Sequence, residues 1–411
     1  MRNITSVLRE INNPNHHFKI IHIAGTNGKG STAALVESVL RSAGYKTGLF
    51  TSPHLFDFTE RIRVAGKPIP RRQVSSGIAL LKPYIERYRC TFFEATTALA
   101  FQIFQKEGVD VAIIEVGMGG RLDATNVVTS MCSIITDIDN DHTEYLGEKL
   151  KSIAREKAAV IKEKSTVVTS ATQPEVKEVL RAACMKRGAT LYATGEHCTL
   201  DIREISSEGS RITLQTPFRV HTDLQVPLLG RHQVRNAAAA VLAIDVLNSN
   251  GVAVSEGNVR QGIAGTTWPG RLQVLQKRPL FLVDGAHNPG GMHALKDALQ
   301  EFFTYKNLIL VFGVMSNKSY TEMLRAIVPM AHHVLLTRPN MERALNCRVL
   351  AEEVSLLTSR FEVIPSVSQA VRRAFTIADP GDVVCAAGSL FLVGDILKSR
   401  MKRVDELFGL N

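Results

Sequence analysis

No stretch of this chain approaches the roughly 20 consecutive apolar residues that a membrane-spanning helix requires. The opening segment, Met1 to Lys19, is polar and charged, without the apolar centre of a secretory signal, so a cytoplasmic protein is expected. Cysteine is sparse: Cys90, Cys132, Cys184, Cys198, Cys347 and Cys385 are scattered and form no CxxC pair. That spacing argues against a zinc centre or a disulfide framework and for reduced thiols. Aromatic residues make up 6% of the chain and there is one tryptophan, so its formal charge of +10 has no aromatic-studded basic stripe beside it. Nucleic-acid binding is therefore disfavoured, whereas small anionic substrates would suit such an excess. Repeats and low-complexity linkers are also missing, which excludes a solenoid.

What is present is alternation. At 411 residues the chain is long enough for two cores. Short apolar runs alternate with helical stretches, the pattern of parallel α/β architecture. Strands are predicted at FKIIHIAG from Phe18, at Val109–Gly117 and at Ser130–Ile138, and helices at Ser31–Ser42, Gly147–Lys162 and Asn236–Leu247. Period-two alternation between about Leu191 and Leu229 predicts a small β insertion. Near Trp268, Pro269 and Gly270 break the pattern, and it starts afresh with LFLVDG, NLILVFG, HHVLLT, FEVIP and DVVCAAG. The expected division is 1–272 and 273–411, the second part a Rossmann-like α/β unit.

The strongest local signal is Gly25-Thr26-Asn27-Gly28-Lys29-Gly30-Ser31-Thr32, between a strand and a helix. Glycines let backbone N–H groups close on phosphate oxygens, and the helix N-terminus adds positive potential. Lys29 would neutralise phosphate charge, and Ser31 or Thr32 offers a hydroxyl to Mg²⁺. The general GxxxxGK[ST] pattern is not met, because Ile23 takes the place of its first glycine and Gly30 separates Lys29 from Ser31.

Several strand ends carry candidate site residues. Glu115 and His142 each follow a predicted strand, where open α/β sheets place ligands. Asn236 opens the apolar helix, where its chemistry fits an N-cap. Arg271 is a possible bidentate phosphate donor. Asp284 and His287 follow a strand of the second half, and Ser389 lies in another strand-end loop. Ser52, Pro53 and His54 form a loop of the kind that carries binding residues. Phe92 and Phe93 could stack on a ring or simply pack in the core, and Glu94 adds a carboxylate beside them. Arg61 and Arg63 read either as attractors for an acidic tail or as surface charges.

GTNGKGS resembles the loop of the Mur-ligase superfamily, and its extra glycine resembles the folylpolyglutamate and dihydrofolate synthase branch. TSPHL at Thr51, TERI at Thr59, FFEATTALAF at Phe92, EVGMGGRLDATNV at Glu115, DHTEYLG at Asp141, EKAAVIK at Glu156, WPGRL at Trp268, DGAHNP at Asp284 and GSLFLVG at Gly388 follow in the same order. The resemblance implies an N-terminal P-loop-type ATPase domain with a small β insertion and a C-terminal Rossmann-like α/β domain. It implies an ATP-dependent amide ligase that joins L-glutamate to dihydropteroate or reduced folates through an acyl phosphate, with two Mg²⁺ ions. ATP would be held by Asn27, Gly28, Lys29, Gly30, Ser31, Asn236, Arg271 and Asp284. Metal would be held by Ser31, Glu115, His142 and a carbamylated Lys157, folate by Ser52, Pro53, His54, Phe92, Phe93 and Glu94, and glutamate by His287 and Ser389. Lys29, Lys157 and His287 would be catalytic. The family implies domain closure over the reactants, and a monomer without nucleic-acid or membrane partners. Two rivals stay open: a Mur-type ligase with another carboxylate acceptor, and a non-catalytic ATP-binding relative.

Overall fold

A computed structural model describes residues 1–141, 147 and 149–408, with side chains as far as residue 400. The chain forms two compact units. One comprises Met1–Glu204, Ser210–Pro227 and His232–Thr267; the other comprises Ile205–Gly209, Leu228–Arg231 and the chain from Trp268 onward. Among the described residues no helix is long and apolar enough to cross a membrane.

The first unit is built on an eight-stranded sheet. Its strands are β1 (Lys19–Ala24), β2 (Thr47–Phe50), β3 (Ile62–Val64), β4 (Lys67–Pro68), β5 (Val111–Glu115), β6 (Cys132–Ile135), β7 (Thr166–Thr169) and β8 (Thr190–Ala193). Their order is β4-β3-β2-β5-β1-β6-β7-β8. From β2 to β8 the pairing is parallel, and β3 and β4 close one edge antiparallel. The central strands are buried along nearly their whole length, which is why they read as continuous apolar runs rather than alternating ones. Parallel pairing brings the ends of β1, β5 and β6 to one rim, and the Ile23–Glu115 register sets Glu115 level with the start of the glycine loop.

The helix Lys29–Ser42 is buried along most of its length. Gly262 of the helix Glu256–Ala264 lets the two approach closely: a Cβ there would come within 2.4 Å of Val39 Cα. Ser38 Oγ donates to the Gly262 carbonyl at 2.7 Å across the same contact. The expected insertion is a three-stranded sheet of β9 (Thr199–Ser206), β10 (Gly209–Gln215) and β11 (Val220–Val226).

The other unit holds a six-stranded sheet of β12 (Gln273–Lys277), β13 (Leu280–Val283), β14 (Leu308–Phe312), β15 (His333–Leu336), β16 (Phe361–Val363) and β17 (Val383–Ala387). Their order, β12-β13-β17-β14-β15-β16, is parallel except for β12 at the edge. Leu282, Leu310, Phe312, Val334 and Cys385 form its core with Leu295, Leu299 and Met323 from the covering helices. All five strands expected here are present. All six cysteines are free, and four are buried.

One expectation is corrected. The described helix runs only over Leu150–Ala158, not over Gly147–Lys162. At its end the N–H groups of Val160 and Ile161 bond to Lys157 and Ala158 in tight turns, which sink both apolar side chains into the core. Burial of those two residues ends the helix where periodicity alone would extend it.

Candidate active site

The glycine loop is shaped by close contact with the exit of β6. A Cβ on Gly25 would lie 1.8 Å from Thr136 Oγ1, so no larger residue fits. Thr136 Oγ1 in turn donates to the Asn27 carbonyl at 2.7 Å. The Thr26 amide donates to the Asp137 carbonyl at 2.7 Å, and the Thr26 hydroxyl donates to the Asp139 carbonyl at 3.0 Å. Gly28 has φ +87, and a Cβ there would meet Asn236 Oδ1 at 2.4 Å. Both glycines thus answer to side chains contributed from far along the chain. Gly25→Ala is expected to destabilise the protein by about 1–3 kcal/mol through overpacking. Adding Thr136→Ala should recover part of that loss, measured by urea unfolding. Wild-type stability in Gly25→Ala would refute the packing argument.

Lys29 folds back over the loop, its Nζ donating to the Thr26 carbonyl at 3.0 Å. Ser31 is buried in the first turn of the helix. Asn236 is no N-cap: it lies inside the helix Arg231–Ser249, with Nδ2 donating to Gln233 Oε1 at 3.0 Å. Gln233 is a missed residue of this site. The three-residue spacing within His232-Gln233-Val234-Arg235-Asn236 was the available signal, since such pairs share a helix face.

Lys157 is buried, and its Nζ donates to the Gly25 carbonyl at 2.7 Å. Burial first, and the neighbouring Lys29 charge second, pull its amine down to about 7, while Asp141 and Asp123 oppose the shift. The EVGMGGRLDATNV segment seats this lysine. A Cβ on Gly120 would meet the Glu156 carbonyl at 2.6 Å, and Arg121 pairs with Glu156 at 2.9 Å. Asp123 orders the segment, its Oδ2 accepting from the Met118 amide at 3.0 Å and its Oδ1 from the Thr125 amide at 2.9 Å. Thr125 meets the buried His22 at 2.8 Å. Burial, with Lys162 adding to it, lowers the His22 imidazole to about 3, so it is neutral at physiological pH.

Glu115 ends β5 as expected, and its Oε2 accepts from the Ser52 amide at 3.0 Å. Ser31 and Glu115 are hard oxygen donors of the kind Mg²⁺ takes. His142 lies outside the described residues. Among the described residues no three His, Cys, Asp or Glu side chains gather as a metal-binding group.

The Ser52-Pro53-His54 loop is held by Glu60, whose carboxylate accepts from the amides of Leu55 at 2.9 Å, Phe56 at 3.2 Å and Asp57 at 2.8 Å. Arg61 is not a surface charge: it is buried, and its Nε donates to His54 Nδ1 at 2.8 Å. Arg63 is partly buried. Phe92 and Phe93 separate by position. Phe93 packs into the core against Phe50 at 5.9 Å, while Phe92 is 62% exposed with the Arg61 guanidinium over its ring. Glu94 is buried and caps its own helix, Oε2 accepting from the Thr91 amide at 2.9 Å. The sequence signal was Thr91-Phe92-Phe93-Glu94, a capping box.

In the other unit Asp284 is buried at the end of β13, accepting from the amides of Leu272 at 2.6 Å and Ala286 at 2.7 Å. Burial pushes its carboxyl up, opposed by Arg271 and both amides. His287 Nδ1 lies 2.8 Å from the Gly285 carbonyl. Ser389 Oγ accepts from the Phe391 amide at 3.1 Å, where the last helix begins.

Sheet order, glycine loop and strand-end side chains together describe a Mur-type ligase. The Mur ligase middle domain matches residues 23–244, and the Mur ligase glutamate ligase domain matches residues 270–390. The chain belongs to the dihydrofolate synthase/folylpolyglutamate synthase family. The Bacillus subtilis dihydrofolate synthase/folylpolyglutamate synthase is 33% identical to it, over 95% of this chain and 93% of that protein. The Saccharomyces cerevisiae dihydrofolate synthetase is 31% identical, over 96% of both. Mycobacterium tuberculosis folylpolyglutamate synthase complexed with ADP and AMPPCP superposes with a TM-score of 0.92 at 32% identity, covering 96% of this chain and 93% of that one. Escherichia coli FolC in complex with DHPP and ADP gives 0.89 at 29% identity, covering 98% and 93%.

Proposed function

We propose that this protein is an ATP-dependent ligase that joins L-glutamate to dihydropteroate, to reduced folates or to both, by way of an acyl phosphate. The observation that carries the reading is the packed glycine loop with Lys29 at its mouth and the buried, readily deprotonated Lys157 beneath it. Residues 1–272 would bind ATP and folate, and residues 273–411 would bind glutamate.

The folate-side carboxylate attacks the γ-phosphorus of ATP and ADP leaves. The glutamate amine then displaces phosphate from the acyl carbon to give the amide. Loop amides from Asn27 to Ser31 and the Lys29 ammonium cradle the phosphates and offset the charge that spreads over the transferring group. Ser31, Glu115 and His142 would hold one Mg²⁺, and Lys157, once its free amine has taken up CO₂, a second. Bound there, the metal supplies further charge neutralisation. Asn236 and Arg271 would contact ATP, Asp284 orders the loop that presents His287, and His287 and Ser389 would position glutamate. Ser52, Pro53, His54 and Phe92 would line the folate side, with Phe93 and Glu94 shaping the wall behind them.

The test is glutamate-dependent phosphate release from ATP and Mg²⁺, run in parallel with dihydropteroate and tetrahydrofolate. Turnover with one identifies which glutamate is added, and turnover with both makes the enzyme bifunctional. Normal ATP binding without turnover on either substrate would sink the folate reading and favour another acceptor.

A further inference from the structure

Arginine has five N–H donors and no acceptor, so any atom it bonds must offer a lone pair. Arg61 Nε lies 2.8 Å from His54 Nδ1. His54 is therefore neutral in this arrangement, with its proton on Nε2. Burial first and the Arg61 charge second also hold the imidazole below its ordinary pKa, against the pull of Glu60 and Asp57. Among the described residues Nε2 makes no hydrogen bond, so a donor of defined tautomer is left available.

Contacts tie this pair into its surroundings. Arg61 is itself buried, and its guanidinium lies 5.4 Å from the centre of the Phe92 ring. Phe92 meets Phe58 edge-on at 6.0 Å, and Phe58 meets His54 edge-on at 6.3 Å, which closes a ring of four side chains. Upstream, the Ser52 amide is tied to Glu115; downstream, Glu60 takes the three amides from Leu55 to Asp57. His54 thus sits between two anchored stretches of loop, and Arg61 decides which of its nitrogens carries hydrogen.

We propose that Arg61 is a positioning residue that fixes His54 as an Nε2–H donor to an oxygen or ring-nitrogen acceptor of the pterin-bearing substrate. The inference deepens the proposed function and rests on it, because it requires the Ser52–His54 loop to face the folate side. Arg61 acts through His54 and touches no reacting atom.

The experiment is a double-mutant cycle on the full-length enzyme, with KM measured separately for ATP and for whichever pterin substrate the wild type uses. Loss of one such hydrogen bond corresponds to about a tenfold change. Arg61→Met and His54→Phe should each raise the pterin-substrate KM about tenfold and leave the ATP KM within about twofold. The double variant should be no worse than the weaker single variant, because both remove the same donor. His54→Gln places an amide N–H near the former Nε2 without needing Arg61, so it should keep most of the affinity and make Arg61→Met nearly silent. Arg61→Lys keeps a cation near Phe92 but loses the Nε–H geometry, and it should resemble Arg61→Met. It also serves as the fallback if Arg61→Met does not fold. Histidine ¹⁵N shifts should report one fixed tautomer for His54 in the wild type and a mixture in Arg61→Lys.

Additive effects in the double variant would overturn the proposal, as would a loss of thermal stability in Arg61→Met with an unchanged KM. A wild type that turns over no pterin substrate would also overturn it. That failure is seen in the wild-type assay alone, before any variant is compared, and so marks the loss of the functional reading itself.

Discussion

Lys157→Ala should lower glutamate-dependent turnover by about 10³-fold or more while leaving ATP binding within a few-fold, the scale on which preorganised charge in a phosphoryl-transfer site acts. The lysine stands next to the glycine loop, bonded to the Gly25 carbonyl, with Lys29 near enough to repel its proton. Two neighbouring ammonium groups, one of them buried, are unfavourable, and the relief is loss of a proton from the buried one. A free amine there can take up CO₂, which exchanges a positive charge for a negative one. Wild-type turnover should therefore fall in CO₂-depleted buffer near pH 7 and return with bicarbonate, whereas Lys157→Ala should respond to neither.

The proton balance gives a second, independent reading of the same group. In the unfolded chain the amine holds its proton up to its ordinary value near 10.5, but in the folded protein it releases it near 7. Between those values the unfolded state binds more protons, so stability rises with pH, and the full penalty of burying the charge is felt below pH 7. Relative to Lys157→Met, the wild type should gain stability in urea as pH is raised from 7 towards 10. A flat difference across that window would show that Lys157 is not deprotonated early.

Legibility followed the distance over which each feature is determined. The glycine loop, the buried parallel strands and the strand-end position of Glu115 are local matters of composition and period, and each is found where the sequence put it. Nothing adjacent in sequence shows that the Arg61 guanidinium will meet His54 or that the Lys157 amine will lie under Gly25. The Glu94 cap is local instead: its partner, Thr91, is only three residues away, and the capping pattern was legible beside the more conspicuous Phe92 and Phe93. The fit of Gly25 and Gly28 against Thr136 and Asn236 is long-range again, so composition announces a phosphate loop without announcing what moulds it.

The same blindness hid a buried polar cluster outside the site. Asp245 interrupts the apolar run Asn236–Leu247, where a charge should not survive burial alone, and its side chain is nonetheless fully enclosed. Three residues around the β10–β11 connection explain it: Thr216 Oγ1 donates to Oδ2 at 2.7 Å, His221 Nε2 lies 2.9 Å from the same oxygen, and the Arg219 Nε lies 3.4 Å from Oδ1. Arg219 also donates to the Val254 carbonyl at 2.9 Å, so the carboxylate pins the β10–β11 hairpin to the long helix and to the turn that follows it. Removing it strands a buried histidine and a half-buried arginine together. Asp245→Ala should therefore cost about 3–5 kcal/mol, the range for breaking a buried pair from one side. In a chain of this size that lowers Tm by roughly 5 °C. Replacing Asp245 and His221 by leucine together should recover much of the loss, because an apolar pair leaves less desolvated charge behind. Turnover per folded molecule at low temperature should stay within about twofold of wild type in both variants, since the cluster touches none of the site residues. A Tm within 2 °C of wild type in Asp245→Ala would mean that the carboxylate is not what holds the hairpin.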